Sequence, residues 1–192
     1  MKIIVASVPG AGKTTVLEYV KKGLPEARIA HTGDLAFEIA SKKFKIKDRD
    51  QMREKLSLEQ QRFLQDHIYK KISKMKEKVV FIDTHISIRT PSGYFPSLSN
   101  RIVEMIKPDL IVVLEFNPKD VKERRAKDLR RKRDVETEEE IEEHQKINKS
   151  FAAAAAAVAQ CSVEVIDLRY RQKKPFEHAY KAAEQIIQLI RG

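Results

Sequence analysis

The distribution of apolar residues along the chain predicts alternating strands and helices. Short runs rich in β-branched residues indicate strands at 3–6, 27–30, 79–82, 110–116 and 163–168. Helical spacing of apolar positions predicts helices at 14–22, 34–44, 57–75, 99–107, from 118, over 137–159 and from 175. Parallel strands need long crossover connections, and the predicted helices between the strands can supply them. We therefore predict one α/β domain with a five-stranded parallel sheet and helices on both faces.

Several helix ends carry their own local signals. Ser57 followed by Gln60 fits a capping box, and Asn117-Pro118 places a cap before a proline at the first helical position. Thr137 precedes three glutamates, which favour the positive end of a helix dipole. Pro108 stops the helix before it, because proline cannot continue the helical hydrogen bonds.

Composition limits the classes of protein that the chain can belong to. Its 192 residues are 42% hydrophobic and 34% charged, which is typical of one folded domain. The longest stretch without a charge, 150–163, has 14 residues, whereas a membrane-spanning helix needs about 20. A single cysteine, Cys161, and the lack of a secretory apolar segment lead us to expect a cytoplasmic protein.

A glycine-rich segment follows the first predicted strand and opens the first helix. Gly12-Lys13-Thr14 matches the end of the phosphate-binding loop motif, whose first glycine is here Ser7. Gly10 and Gly12 allow backbone N–H groups to turn toward a phosphate chain. We expect Lys13 to bridge the β- and γ-phosphates and the Thr14 hydroxyl to hold Mg²⁺. The segment predicted to bind ATP comprises Ser7, Val8, Pro9, Gly10, Ala11, Gly12, Lys13, Thr14 and Thr15.

Asp83 is the second candidate for the phosphate site. It follows four apolar residues at the tip of a predicted strand. In P-loop proteins an aspartate at such a tip helps to hold Mg²⁺, directly or through water. A helix cap or a turn is the competing interpretation of this residue. The histidines His31, His67, His144 and His178 lack metal-ligand spacing and are interpreted as surface or core residues.

A basic stretch runs from Arg124 to Asp134 and meets six acidic residues between Glu136 and Glu143. Crowded arginines suit a polyphosphate, because their planar groups bind phosphate oxygens in pairs and phosphoryl transfer depends on such cations. A net charge of +10 also admits an RNA-binding surface or a solvated helix.

With these residues in place, the chain resembles the archaeal-type adenylate kinases over essentially its whole length. The phosphate loop is shared with many other nucleotide-binding proteins, but Asp-Thr-His followed by Thr-Pro-x-Gly-Tyr is more selective. The segments that carry the resemblance are Thr32-Gly33, 48–53, 83–85, 90–94, 131–134 and 143–148.

The resemblance implies a P-loop nucleoside monophosphate kinase that converts ATP and AMP to two ADP with Mg²⁺. It assigns AMP contacts to Thr32, Gly33, Arg53 and Arg89. It places Arg125, Arg131 and Arg133, as catalytic residues, in a short lid of about 125–140. It also implies that the insertion of about 34–75 binds AMP. Some members of the family are homotrimers. Ser7 in the loop and Lys149, where many members have an arginine, depart from the pattern.

Two other function classes remain open at the level of sequence. One is a different P-loop phosphotransferase or ATPase that acts on another nucleotide or with a ribosome-associated partner. The other is a nucleic-acid-binding protein that uses the basic run 119–134. A kinase needs acceptor-side arginines opposite the loop, which Arg53 and Arg89 supply, so we regard nucleic acid as the less favoured partner. A switch GTPase is excluded because no guanine-reading Asn/Thr-Lys-x-Asp motif is present.

Overall fold

The computed structural model describes residues 1–49, 52, 55–90, 92–128 and 136–191. Its strands are β1 (Lys2–Ala6), β2 (Arg28–His31), β3 (Val80–Asp83), β4 (Ser87–Thr90), β5 (Gly93–Pro96), β6 (Leu110–Phe116) and β7 (Ser162–Leu168). Its helices with described bounds are α1 (Lys13–Gly23), α2 (Thr32–Phe44), α3 (Leu58–Ser73), α4 (Asn100–Ile106), α5 (Pro118–Lys127), α6 (Glu138–Ala159) and α7 (Glu177–Arg191).

The central sheet has five parallel strands in the order β2-β3-β1-β6-β7. Each strand lies within one residue of its predicted bounds, so the predicted fold class is confirmed. The central position of β1 places the loop that follows it next to the ends of β3 and β6. Ligands of such sheets bind beyond the carboxyl ends of the strands, which is where the predicted site residues converge.

Both faces of the sheet are covered, as the continuous apolar runs predict. Ile3 and Val5 of β1 point into a core shared with α1 and α7. Ile4 and Ala6 point to the other face, into a core shared with α2, α3, α4 and α6. Successive side chains of a strand alternate between faces, so a strand that is buried on both sides has no polar alternation.

The predicted helix caps at Ser57, Asn117 and Thr137 are confirmed. The Ser57 and Thr137 hydroxyls each accept a hydrogen bond from the backbone N–H three residues on. In return, the side-chain oxygens of Gln60 and Glu140 accept from the backbone N–H groups of Ser57 and Thr137. Asn117 Oδ1 accepts from the Lys119 N–H at 3.0 Å. These bonds satisfy backbone donors that a helix start leaves without partners.

Three local features differ from the sequence prediction. An antiparallel hairpin of β4 and β5 was not predicted; Gly93, the first residue of β5, has a φ of 118°, a backbone conformation that favours glycine. α2 begins at Thr32, two residues before the predicted start. α7 begins at Glu177 rather than Pro175, because Phe176 has a φ of 62°, outside the helical region.

The long helix α6 combines a charged first half with an alanine-rich second half. Ala152, Ala155 and Ala156 are buried in the core of the second sheet face, where small side chains let the helix approach the sheet closely. In the described ranges, no helix is long and apolar enough to cross a membrane.

Candidate active site

The loop between β1 and α1 makes a tight turn that depends on its glycines. Gly10 and Gly12 have φ angles of 78° and 106°, which confirms that the loop needs glycine at both positions. A Cβ atom on Gly10 would lie 2.7 Å from Cγ of Arg125, so the absence of a side chain also makes room for this arginine. The Ser7 side chain is buried, and its hydroxyl donates to the Val8 carbonyl at 3.1 Å.

Lys13 lies at the start of α1 with only 7% of its side chain exposed. Its ammonium group forms an ion pair with Asp83 Oδ1 and donates to the Thr84 carbonyl at 2.5 Å. Burial lowers the pKa of Lys13, and the attraction of Asp83 opposes that shift. The loop therefore holds one buried cation at the carboxyl edge of the sheet.

Asp83 is the acidic centre of this edge and has a side chain that is 14% exposed. Its Oδ2 accepts from His31 Nδ1 at 2.7 Å, and its backbone carbonyl accepts from the Thr32 hydroxyl at 2.9 Å. Burial by itself favours the neutral carboxyl, but the bond from His31 and the charge of Lys13 outweigh it and hold the pKa of Asp83 well below its usual value. Asp83 is therefore a carboxylate with a fixed orientation.

Two consecutive arginines of α5 reach back to the phosphate loop. Arg124 Nη1 donates to the Ala11 carbonyl at 2.6 Å, and its guanidinium lies 5.0 Å from the ring centre of Phe116. Arg125 Nε donates to the Pro9 carbonyl at 2.8 Å, and 8% of its side chain is exposed. This part of the basic stretch therefore faces the loop rather than open solvent.

Arg89 of β4 approaches the same region from the hairpin. Its Nη1 lies 3.3 Å from Glu136 Oε1 and its Nη2 lies 2.6 Å from Glu140 Oε1. Arg125 Nη1 forms an ion pair with the other oxygen of Glu136. One buried carboxylate thus connects an arginine of the hairpin with an arginine of α5.

A cavity of about 260 Å³ opens beside the phosphate loop. It lies between the start of α1, the end of β6 and the segment that precedes α7. Aromatic and cationic planes line much of it, together with apolar side chains. The residues that define its walls include Ala11, Gly12, Phe116, Arg124, Pro175 and Phe176.

The other predicted residues divide into exposed, buried and undescribed positions. Thr14 is exposed and Thr15 partly exposed in the first turn of α1, whereas Val8 is buried. Gly33 is exposed, and a Cβ atom there would lie 3.8 Å from Arg49 Nη1. The predicted contacts that lie outside the described residues are Arg53, Arg131 and Arg133.

Lys149, which departs from the family pattern, has a clear partner. Its Nζ lies 3.1 Å from Oε1 of Glu115, a buried carboxylate of β6, and Arg169 lies 3.3 Å from the same oxygen. These two cations offset the cost of burying Glu115. The described contacts of Lys149 are therefore with β6 and not with the loop.

Sequence reasoning missed His31, Arg124 and Glu136 as site residues. His31 was interpreted as a surface or core residue, but the parallel register of β2 and β3 places it opposite Asp83. Arg124 stood in the basic stretch without a separate role. Glu136 was one acid among six, and its contact with Arg89 spans 47 positions along the chain.

The fold and the loop define a P-loop nucleotide-binding domain, and a family model described as an AAA domain matches residues 6–142. A shikimate kinase from Acinetobacter baumannii, solved in complex with shikimate, shares the fold with a TM-score of 0.63 and 16% identity, over 98% of this chain and 92% of that one. The shikimate kinase of Aquifex aeolicus superposes with a TM-score of 0.60 and 17% identity, over 100% of this chain and 97% of that one.

Several adenylate kinases are more similar to this chain in sequence than the shikimate kinases are. The adenylate kinase of Pyrobaculum aerophilum is 46% identical over 99% of this chain and 96% of its own length. That of Pyrococcus furiosus is 38% identical over 97% and 95%, and that of Thermoplasma volcanium 37% identical over the whole of both chains. The chain belongs to the adenylate kinase family. The resemblance identified from the sequence motifs is thereby confirmed.

Proposed function

We propose that the protein transfers the γ-phosphoryl group of Mg-ATP to AMP and forms two ADP, with Lys13 holding the phosphates. The observation that supports this most directly is a buried lysine at the phosphate loop with arginines from two different elements nearby. Arg125 lies on the loop side, and Arg89 projects from the hairpin. A donor and an acceptor phosphate can therefore be held from opposite directions. The family relationship supports the same reaction.

The phosphate loop supplies the donor half of this proposal. Backbone N–H groups around Gly10 and Gly12, with the positive end of α1, bind the phosphate oxygens of ATP. A bound triphosphate offers Lys13 new anionic partners, so we expect its ammonium group to exchange Asp83 for phosphate oxygens. Phosphoryl transfer then proceeds between aligned phosphates, with positive charge compensating the transferring group.

The side chains beside the loop fit Mg²⁺ in their chemistry. Mg²⁺ prefers oxygen ligands and, in nucleotide sites, takes only one or two from the protein beside phosphates and water. The exposed Thr14 hydroxyl, next to Lys13 in the chain, and the Asp83 carboxylate, which pairs with Lys13, offer such oxygens. We propose that these two residues hold the ion. When bound, it neutralises charge on the β- and γ-phosphate oxygens.

The acceptor half of the proposal rests on residues at the ends of β2 and β4. The Thr32 hydroxyl donates to the Asp83 carbonyl, so the first turn of α2 is held next to Asp83. Arg89 presents its guanidinium beside Glu136. We propose that Thr32, Gly33, Arg53 and Arg89 bind AMP, with the insertion of about 34–75 closing over it. The chemical work of this half is to exclude water and align the acceptor oxygen.

The cavity beside the loop suits the base of ATP. The exposed ring of Phe176 and the guanidinium plane of Arg124, which is backed by the buried ring of Phe116, provide flat surfaces for a planar heterocycle. Adenine in this cavity leaves its phosphates directed to Gly12 and Lys13, since the cavity borders the start of α1. The lid of about 125–140 then brings Arg125, Arg131 and Arg133 to the triphosphate.

An assay with a panel of acceptors tests this function. ATP is offered with AMP, CMP, GMP, UMP and dTMP in turn, and ADP formation is followed. We expect AMP to give a kcat/KM far above that of any pyrimidine monophosphate. Equal values for CMP or dTMP would move the protein to another class of nucleotide kinase.

A triple variant distinguishes a lid from an RNA-binding surface. Its substitutions are Arg125→Ala, Arg131→Ala and Arg133→Ala. If the arginines form a lid, turnover falls by about 10³-fold or more, because cations at the transition state are lost. If they bind RNA instead, turnover survives while RNA affinity and its salt dependence fall. Arg124 and Arg125 contact carbonyls of the phosphate loop, which favours the lid.

Location and assembly remain predictions. We propose a cytoplasmic enzyme whose partners are its nucleotide substrates. A homotrimer is the assembly implied by the family resemblance, and sedimentation of the purified protein tests it.

A further inference from the structure

Glu136 is a buried carboxylate two residues before the start of α6. Only 4% of its side chain is exposed, and each of its two oxygens contacts a different arginine. Oε2 pairs with Arg125 of α5, and Oε1 pairs with Arg89 of β4. The two arginines therefore lie on either side of one acidic group, although 36 residues separate them along the chain.

Arg125 is fixed at both ends by this arrangement. Its Nε donates to the Pro9 carbonyl at 2.8 Å, while Nη1 binds Glu136. Its aliphatic stem lies so close to Gly10 that a Cβ atom there would be 2.7 Å from Cγ. A guanidinium has five N–H donors, and within the described part of the chain these contacts engage Nε and Nη1.

Arg89 is held by two acids of different exposure. Nη1 contacts the buried Glu136 at 3.3 Å, and Nη2 contacts the partly exposed Glu140 at 2.6 Å. Exposed pairs such as the second contribute little, because water screens the charges. Of the two acids, Glu136 is the one that also contacts Arg125.

Glu136 stays charged in this environment. Burial raises its pKa, but the neighbouring His144, Arg125 and Arg89 outweigh that effect and lower the pKa to about 2. His144 is itself buried and placed by Ser87, whose hydroxyl lies 3.0 Å from Nε2. Removing one partner of a buried pair leaves the other charge without compensation, so the buried Arg125 depends most on this acid.

We propose that Glu136 is a positioning residue that sets Arg125 on the donor side and Arg89 on the acceptor side relative to each other. The inference rests on the proposed function, in which these two arginines bind the phosphates of different substrates. A single carboxylate between them then fixes the spacing of the two phosphate sites. In-line transfer depends on that spacing, since a shift of about 1 Å is enough to cost roughly 100-fold in rate.

The test compares three glutamate-to-glutamine changes that remove the same charge. Glu136→Gln removes the shared acid, Glu140→Gln removes an acid that contacts Arg89, and Glu104→Gln is a control at an exposed position of α4, outside the lid. Calorimetry measures the Kd of AMP and, separately, of the non-hydrolysable ATP analogue AMP-PNP. Steady-state kinetics supplies kcat, and circular dichroism supplies Tm.

We expect Glu136→Gln to weaken binding of both nucleotides and to lower kcat by about 10- to 100-fold. Glu140→Gln changes only the AMP side, by less than about fivefold. Glu104→Gln behaves as wild type. Glu136→Asp, which keeps the charge with a shorter reach, restores part of the loss and serves as the test variant if Glu136→Gln does not fold.

Two results would overturn the proposal. One is a folded Glu136→Gln protein with wild-type affinity for both nucleotides and unchanged kcat. The other is a change confined to one nucleotide, because a shared carboxylate must affect both. A wild-type enzyme that binds AMP and AMP-PNP but forms no ADP would refute the proposed reaction instead, and the binding measurements still decide the role of Glu136.

Discussion

Replacing Lys13 with methionine removes the buried ammonium group and keeps most of the aliphatic stem. In the structure this group contacts the Asp83 carboxylate and the Thr84 carbonyl. In the proposed reaction it stabilises the charge of the transferring phosphoryl group. The substitution therefore has one effect on folding and a separate effect on turnover.

The folding effect follows from the partners left behind. Asp83 keeps its hydrogen bond from His31 and remains partly exposed to water. The loss of folding stability therefore resembles that of leaving one polar group unsatisfied, and is smaller than that of leaving a fully buried charge unpaired. That amounts to about 2 kcal/mol of unfolding free energy, or a Tm lower by about 4–8 °C for a domain of this size. The loss in kcat is much larger, about 10²- to 10³-fold, because the lost charge acts at the transition state.

The assay measures ADP formation from ATP and AMP beside thermal unfolding by circular dichroism. Lys22→Met is the matched control, since Lys22 is an exposed lysine on the same helix. We expect this control to retain both Tm and turnover. A folded Lys13→Met protein with near-normal turnover would refute the assignment of the phosphate site.

Three further variants test other parts of the account. Arg89→Ala raises the KM for AMP by about tenfold or more with little change in the KM for ATP, because a charge-assisted hydrogen bond to phosphate contributes about 1.5–3 kcal/mol. Equal changes in both constants would contradict an acceptor role. Thr137→Ala removes the cap of α6 and lowers the free energy of unfolding by about 1 kcal/mol, which corresponds to a decrease in Tm of about 2–4 °C. An unchanged Tm would mean that the cap does not stabilise the helix. Glu136 has a folded pKa of about 2 against an ordinary 4.5, so its ionised form stabilises the protein above about pH 4.5 and that contribution is lost as pH falls toward 2. The stability gap between wild type and Glu136→Gln therefore narrows on acidification, and a gap that stays constant from pH 5 to pH 2 would exclude this linkage.

Features encoded within a few residues were predictable from the sequence. The phosphate loop is one, because Gly10 and Gly12 serve conformations that few other residues adopt. Asp83 is another, since a carboxylate after an apolar run must emerge at the end of a buried strand. The parallel sheet was predictable because its strands are continuous apolar runs. Such runs occur in strands that are covered on both faces.

Features that depend on distant contacts were not predictable in this way. Glu136 looks like its acidic neighbours until the fold brings Arg89 and Arg125 to it. His31 acquires its role only through the register that pairs β2 with β3. The hairpin of β4 and β5 has strands of four residues each, mostly exposed, so it lacks the apolar pattern that revealed the other strands.

Transfer of isotopic label tests the central claim most directly. ATP labelled with ³²P in the γ-phosphate is incubated with ¹⁴C-labelled AMP, Mg²⁺ and the enzyme, and the nucleotides are separated. The account predicts that the ¹⁴C-labelled product is ADP and that it carries ³²P in its β-phosphate. Release of the ³²P as inorganic phosphate, with the ¹⁴C label remaining in AMP, would contradict the account and identify an ATPase.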